Sequence, residues 1–229
     1  MFFPFFFDPT VIFLIPAIIL AIWAQGLVSS RFAKYSHVRS SLGLTGAQLA
    51  KQLLNANGIY DVPVERITGN LTDHYDPKKK IVSLSESTYN SSSVASLGIV
   101  AHEIGHVVQD QESYIPLKLR NAIVPAVSFT SQLAWILFII GLLFWSGWMI
   151  KIGIIFFSGA VLFSLLTLPV EFNASSRALK MLDAYMMPED ELAATRKVLG
   201  AAAMTYVAGA AMAIMQLLRM IFISRVMRS

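Results

Sequence analysis

Cysteine is absent from this 229-residue chain, so no disulfide can staple it. The same absence argues against a closed structural zinc site, which is normally four-coordinate and built on thiolates. Charge is scarce as well: Asp, Glu, Lys and Arg make up 14% of the residues against 55% hydrophobic, and mean hydropathy is +0.61. Those values exclude an ordinary soluble domain. No Lys or Arg precedes the first apolar run, whereas Asp8 does. That run therefore lacks the basic leader of a secretory signal and is expected to remain as a membrane helix. Internal repeats are not evident, and the apolar runs carry almost no ionisable residues of the kind a conduction pathway needs. Both points disfavour a transporter or channel. Histidine is rare too, with four in the chain and two of them within one turn's spacing.

What the chain does have is long apolar segments. Val11 to Val28 is uncharged and long enough to cross a bilayer, with Pro16 inside it and Trp23 near one end. Ala122 to Val170 is interrupted once, around Ser146-Gly147-Trp148 and Lys151, which predicts two helices folded as a hairpin. Trp145 and Trp148 sit where an aromatic belt would place them. A last segment, Leu199 to Leu218, is rich in Ala and Met and reads as a fourth span, with Gly209 allowing close packing.

The residues between the first span and the hairpin form the main non-membrane part. Gly46 to Asn57 has helical periodicity and ends at Asn57-Gly58, an ordinary helix stop. Val62 to Ile67 and Ile81 to Leu84 are short β-rich runs bracketing a loop with Gly69-Asn70, Asp76-Pro77 and the lysines 78 to 80. Those lysines mark a solvated turn or, less simply, a lipid-headgroup contact. Ile81 to Leu84 is a candidate edge strand for an extended peptide.

Within this part lies His102-Glu103-Ile104-Gly105-His106. Two histidines four residues apart share a helix face, close enough to share a metal ion, while Glu103 is rotated away and free to act as a base. The context fits a helix: Ser91-Ser92-Ser93 offers capping hydroxyls, and Val94, Leu97, Ala101, Ile104 and Val108 form one apolar stripe. Gly105 weakens a helix, so its presence suggests close backbone packing or substrate approach. Two structural histidines on a polar face are the plainer alternative.

A catalytic zinc site needs a third protein ligand. No further histidine follows at the short metzincin spacing, and the better candidate is Glu171, in Leu168-Pro169-Val170-Glu171-Phe172-Asn173-Ala174-Ser175-Ser176-Arg177. Pro169 is expected to break the preceding span and start a new helix with Glu171 in its first turn. The competing reading is a carboxylate stabilised by that helix N-terminus or paired with Arg177.

Taken together, the His-Glu-x-x-His run, the hairpin after it, the Leu168 to Ser175 segment and Leu71-Thr72-Asp73-His74-Tyr75-Asp76-Pro77 closely resemble the neutral zinc metallopeptidase family, over nearly the whole chain. More distantly, the chain is similar to the HtpX and CAAX prenyl protease group. That group carries an aspartate four residues after its ligand glutamate, where Ser175 stands here, so its details around the ligands do not transfer. The resemblance implies a membrane-bound peptidase and leaves its natural substrate open.

The expected fold class is a mainly α membrane protein: transmembrane helices plus a small α+β zincin-like catalytic section with a short sheet. The expected divisions are 1–30 (first span), 31–121 (catalytic section), 122–170 (hairpin), 171–198 (helix with the third ligand) and 199–229 (last apolar helix). The expected cofactor is one Zn2+ per chain on a gluzincin-type set of His102, His106 and Glu171, with Glu103 as general base for peptide-bond hydrolysis. His74 and Tyr206 are candidates to stabilise the transition state, against a solvated turn histidine and a packed tyrosine respectively. Arg177 is a candidate to orient Glu171 or Ser175. Expected partners are the lipid bilayer and a peptide or membrane-protein substrate, with no nucleic acid. Arg31, Lys34, Arg39 and Lys51 after the first span, and Arg177, Lys180, Arg196 and Lys197 after the hairpin, put the catalytic section in the cytoplasm. Arg219, Arg225 and Arg228 disagree if the last segment spans, which leaves a re-entrant or interfacial placement open for it. The alternative from another class is an inactive membrane scaffold or binding module with a structural metal site.

Overall fold

The computed structural model describes residues 9–227; Asp8 and Arg228, which enter the charge pattern, lie outside them. A 3-10 turn, Pro9–Leu14, leads into helix α1 (Ile15–Ser36), and α2 (Gly46–Ala56) follows. Three strands come next: β1 (Val64–Ile67), β2 (His74–Asp76) and β3 (Ile81–Ser85). The rest is helical: α3 (Glu86–Tyr89), α4 (Val94–Gln111), α5 (Ile115–Leu143), α6 (Gly147–Ala184) and α7 (Glu189–Val226). The fold is mainly α with a small α+β part. Four helices among the described residues are long and apolar enough to cross a membrane: Pro9–Ser36, Ile115–Leu143, Gly147–Ala184 and Glu189–Val226. Pro16 is the second residue of α1, where its missing N–H costs nothing.

The chain forms two compact units. One comprises the described parts of Met1–Ala24, Leu119–Leu168 and Thr205–Ser229. Its core is Ala134, Phe138, Ile150, Phe157, Val161 and Met220, while Ile136, Leu162 and Phe222 point outward, as lipid-facing residues do. Gly153 lets α6 lie close against α5, because a Cβ there would meet the Ala134 carbonyl oxygen at 2.9 Å. The hairpin turn is tight: α5 ends at Leu143, Trp145 takes a left-handed conformation, and α6 starts at Gly147. Lys151, read as part of the interruption, is already helical. Gly209 does not serve close packing, since a Cβ there would meet open space.

The other unit comprises Gln25–Lys118 and Pro169–Met204. Thr45 starts α2 through a reciprocal capping box with Gln48, and Ser93 caps α4 by accepting the Ser96 N–H. Leu49, Leu53, Leu97, Ile104 and Leu182 are fully buried in one core, each worth about 1.5–3 kcal/mol of apolar burial. α4 is buried almost all round, so it is the central helix of this unit.

Three expectations change here. Pro169 does not end a helix: α6 runs unbroken through it, and Glu171 lies in the helix interior. Membrane-protein helices tolerate such a proline because surrounding groups compensate for the freed backbone. Stabilisation of Glu171 by a helix N-terminus is thereby removed. Second, His74–Asp76 is a strand, not loop. It is too short and polar to announce itself, and its strand geometry comes from antiparallel pairing with β3. Third, β3 is not an edge: the order is β1-β3-β2, with β3 parallel to β1 on one side and antiparallel to β2 on the other. A peptide cannot add to a strand whose two edges are already paired.

Candidate metal centre

The spacing of four in α4 stacks His102 over His106, their ring centroids 4.8 Å apart and nearly perpendicular. From α6 the Glu171 carboxylate reaches both: Oε2 lies 3.3 Å from His102 Nε2 and 3.6 Å from His106 Nε2. One donor atom from each of the three residues lies within 4.8 Å of the others. Gly105 makes this approach possible, because any Cβ there would lie 2.7 Å from the Ala174 carbonyl oxygen on α6. Packing, rather than substrate approach, is therefore what the glycine serves.

The opposite ring nitrogens are occupied. His102 Nδ1 is 3.1 Å from Ser175 Oγ, and His106 Nδ1 is 3.0 Å from Gln109 Oε1. Both Nε2 atoms are thus left facing a single carboxylate oxygen. Two imidazole nitrogens and a carboxylate oxygen, converging with their far sides held, fit a zinc ion that keeps one position open. Burial by itself would push the His106 imidazole down, but its hydrogen bond to Glu171 and the nearby Glu103 carboxylate hold it above its ordinary value.

Glu103 is nearly buried and is gripped from the sheet: the Tyr75 backbone N–H donates to its Oε2 at 3.0 Å. The Tyr75 hydroxyl donates to Asp110 Oδ2 at 2.9 Å, so β2 is tied to α4 at two points. Burial, reinforced by Asp110, pushes the Tyr75 phenol well above its usual range and keeps it a donor.

The remaining candidates are placed as follows. His74 is exposed on β2, its Nδ1 2.9 Å from the Thr72 carbonyl. Tyr206 lies on α7 in the unit that does not contain the three donors. Arg177 bonds Asn173 through Nε at 2.7 Å and Glu112 through Nη2 at 2.6 Å, not Glu171 or Ser175. Gln109, Asn173, Tyr75 and Asp110 escaped the sequence reading. For Gln109 a signal existed: an amide three residues after His106, on the same helix face, in an otherwise apolar stretch.

Four helices able to cross a membrane and a His/His/Glu group able to hold a metal ion define a membrane protein with a candidate metal site. The profile of the family described as "Putative neutral zinc metallopeptidase" matches residues 10–225, and the chain belongs to that family. It is 50% identical over 210 residues to the "Putative membrane protease YugP" of Bacillus subtilis (strain 168), covering 91% of this chain and 93% of that protein. No solved structure matches the chain.

Proposed function

We propose that this protein is a multi-pass membrane zinc metalloendopeptidase in which His102, His106 and Glu171 hold one ion and Glu103 is the general base. The carrying observation is the convergence of both His Nε2 atoms on Glu171 Oε2, with Glu103 on the same helix. When bound, zinc supplies Lewis acidity and a nucleophilic water at neutral pH. Glu103 takes the proton of the attacking water and returns it to the departing amine, which is otherwise a very poor leaving group. The Tyr75 N–H holds one oxygen of that carboxylate and sets its orientation. For His74 as a group meeting transition-state charge, the support is its place beside Tyr75, whose N–H meets Glu103. Substrates are peptides or exposed segments of membrane proteins.

Topology follows from charge. Arg31, Lys34, Arg39, Lys51, Arg177, Lys180, Arg196 and Lys197 all belong to the unit that holds the donors, and this excess of basic residues supports a cytoplasmic side for it.

The test is metal analysis of purified protein together with cleavage of a peptide library, on wild type, Glu103→Gln and His102→Ala. Glu103→Gln is expected to keep zinc and lose hydrolysis, and His102→Ala to lose both. Zinc in wild type without hydrolysis would favour the scaffold reading; equal zinc loss in both variants would overturn the separate roles of base and ligand.

A further inference from the structure

A hydrogen-bonded chain of side chains, none of them a proposed ligand beyond its last member, leads from the exposed Glu112 to His106. Glu112 Oε2 accepts from Arg177 Nη2 at 2.6 Å, and Arg177 Nε donates to Asn173 Oδ1 at 2.7 Å. Asn173 Oδ1 also accepts from Gln109 Nε2 at 2.9 Å. The second hydrogen of that amide goes to the Val170 carbonyl at 2.9 Å, which leaves Gln109 Oε1 facing His106 Nδ1 at 3.0 Å. Gln109 has no exposed surface.

The polarity of this chain is determined from its outer end. Arg177 has only donors, so the Asn173 atom it meets is the oxygen. An oxygen there, and a backbone carbonyl at Val170, both demand the NH2 end of Gln109. The amide therefore cannot flip without setting oxygen against oxygen twice. Its own oxygen must face His106, and that contact is a hydrogen bond only if Nδ1 carries the proton. In the neutral ring, Nε2 then presents its lone pair toward Glu171.

We propose that Gln109 is a positioning residue for the metal centre, locking His106 in the Nδ1–H tautomer that turns its Nε2 lone pair toward Glu171. Asn173 and Arg177 hold the Gln109 amide in register. The assignment rests on the zinc-binding reading and extends it to residues outside the donor set. A purely structural buried glutamine would stabilise the fold without a preferred tautomer at its neighbour.

The experiment uses the full chain in detergent. Zinc affinity is measured by chelator competition for wild type, Gln109→Met and Gln109→Glu, and the ring nitrogens are observed by NMR after selective 15N-histidine labelling. Gln109→Met, similar in length but without an acceptor, is expected to weaken zinc binding roughly ten- to hundredfold. Gln109→Glu keeps an oxygen for Nδ1–H but sets its second oxygen against Asn173 Oδ1 and the Val170 carbonyl, so it is expected to lower the unfolding temperature while His106 still shows a protonated Nδ1. Wild-type His106 is expected to show a protonated Nδ1 with zinc bound through Nε2. Wild-type affinity in Gln109→Met, or ligation of His106 through Nδ1, would overturn the proposal. If Gln109→Met does not accumulate folded, the wild-type ring signals alone decide. Absence of zinc binding in wild type would instead sink the zinc reading itself, so the two failures are distinguishable.

Discussion

Gly105→Ala is the smallest change that tests whether helix packing sets the geometry of the donor set. The added Cβ would lie 2.7 Å from the Ala174 carbonyl oxygen and 3.3 Å from its C and Cα. All three are backbone atoms of α6, which cannot rotate aside as a side-chain tip can. Alanine favours α4 by about 1 kcal/mol of helix propensity. Against this stands a methyl forced into a filled interface, about 1–3 kcal/mol, with backbone overlap placing it toward the upper end. The net expectation is a loss of about 1–2 kcal/mol. Relief requires the 2.7 Å contact to open toward ordinary van der Waals distance, 3.4 Å or more. That movement falls between His102 and His106, which flank Gly105, and Glu171, three residues before Ala174. Metal–ligand distances tolerate only about 0.2 Å. Zinc affinity is therefore expected to fall at least about tenfold, or about 1.4 kcal/mol. Chelator competition and thermal unfolding with and without zinc measure both terms. Gly200→Ala on α7, where a Cβ meets open space, is the control and is expected to leave both unchanged or slightly raise stability. If Gly105→Ala binds zinc like wild type and unfolds no earlier, the argument from close approach fails.

Two further outcomes follow from the same unit. Because His106 is held above its ordinary value in the metal-free fold, a proton competes with the metal for it. Its pairing stabilises the metal-free fold fully below the unfolded value of 6.5 and is lost as pH rises through the higher folded one. The gain in Tm on adding zinc should thus be large at about pH 8 and shrink toward about pH 5; a constant gain would refute it. At the start of α7, the buried Glu191 carboxylate accepts the Ser40 hydroxyl and the Ser41 N–H at 2.8 Å. Glu191→Ala is expected to cost about 1.5–3 kcal/mol in chemical denaturation while leaving zinc affinity intact, and an unchanged midpoint would contradict that.

Much of this architecture is local enough to be read from the chain. Uncharged runs such as Val11 to Val28 announce spans, and Gly46 to Asn57 carries its own stripe and stop. The stacking of His102 and His106 follows from helical spacing alone. What escaped is what other elements decide. The helix continues through Pro169, and a proline of this kind is tolerated where neighbouring groups make up for the missing donor, which no window around Pro169 reveals. β2 exists because β3 pairs with it and because Tyr75 is tied to Glu103 and Asp110. The central place of β3 needs the position of β1, a strand seventeen residues earlier in the chain by its Val64–Ile81 starts. Gln109 and Asn173 are distant in sequence, and only the approach of α4 to α6 at Gly105 brings them together.

The unbroken passage of α6 through Pro169 carries an apolar run of membrane-crossing length and a site carboxylate on one helix. At about 1.5 Å per residue, Glu171 stands about 36 Å along the axis from Gly147, somewhat more than the roughly 30 Å hydrocarbon slab. The helix therefore has length enough to leave a bilayer before it presents the carboxylate that meets His102 and His106.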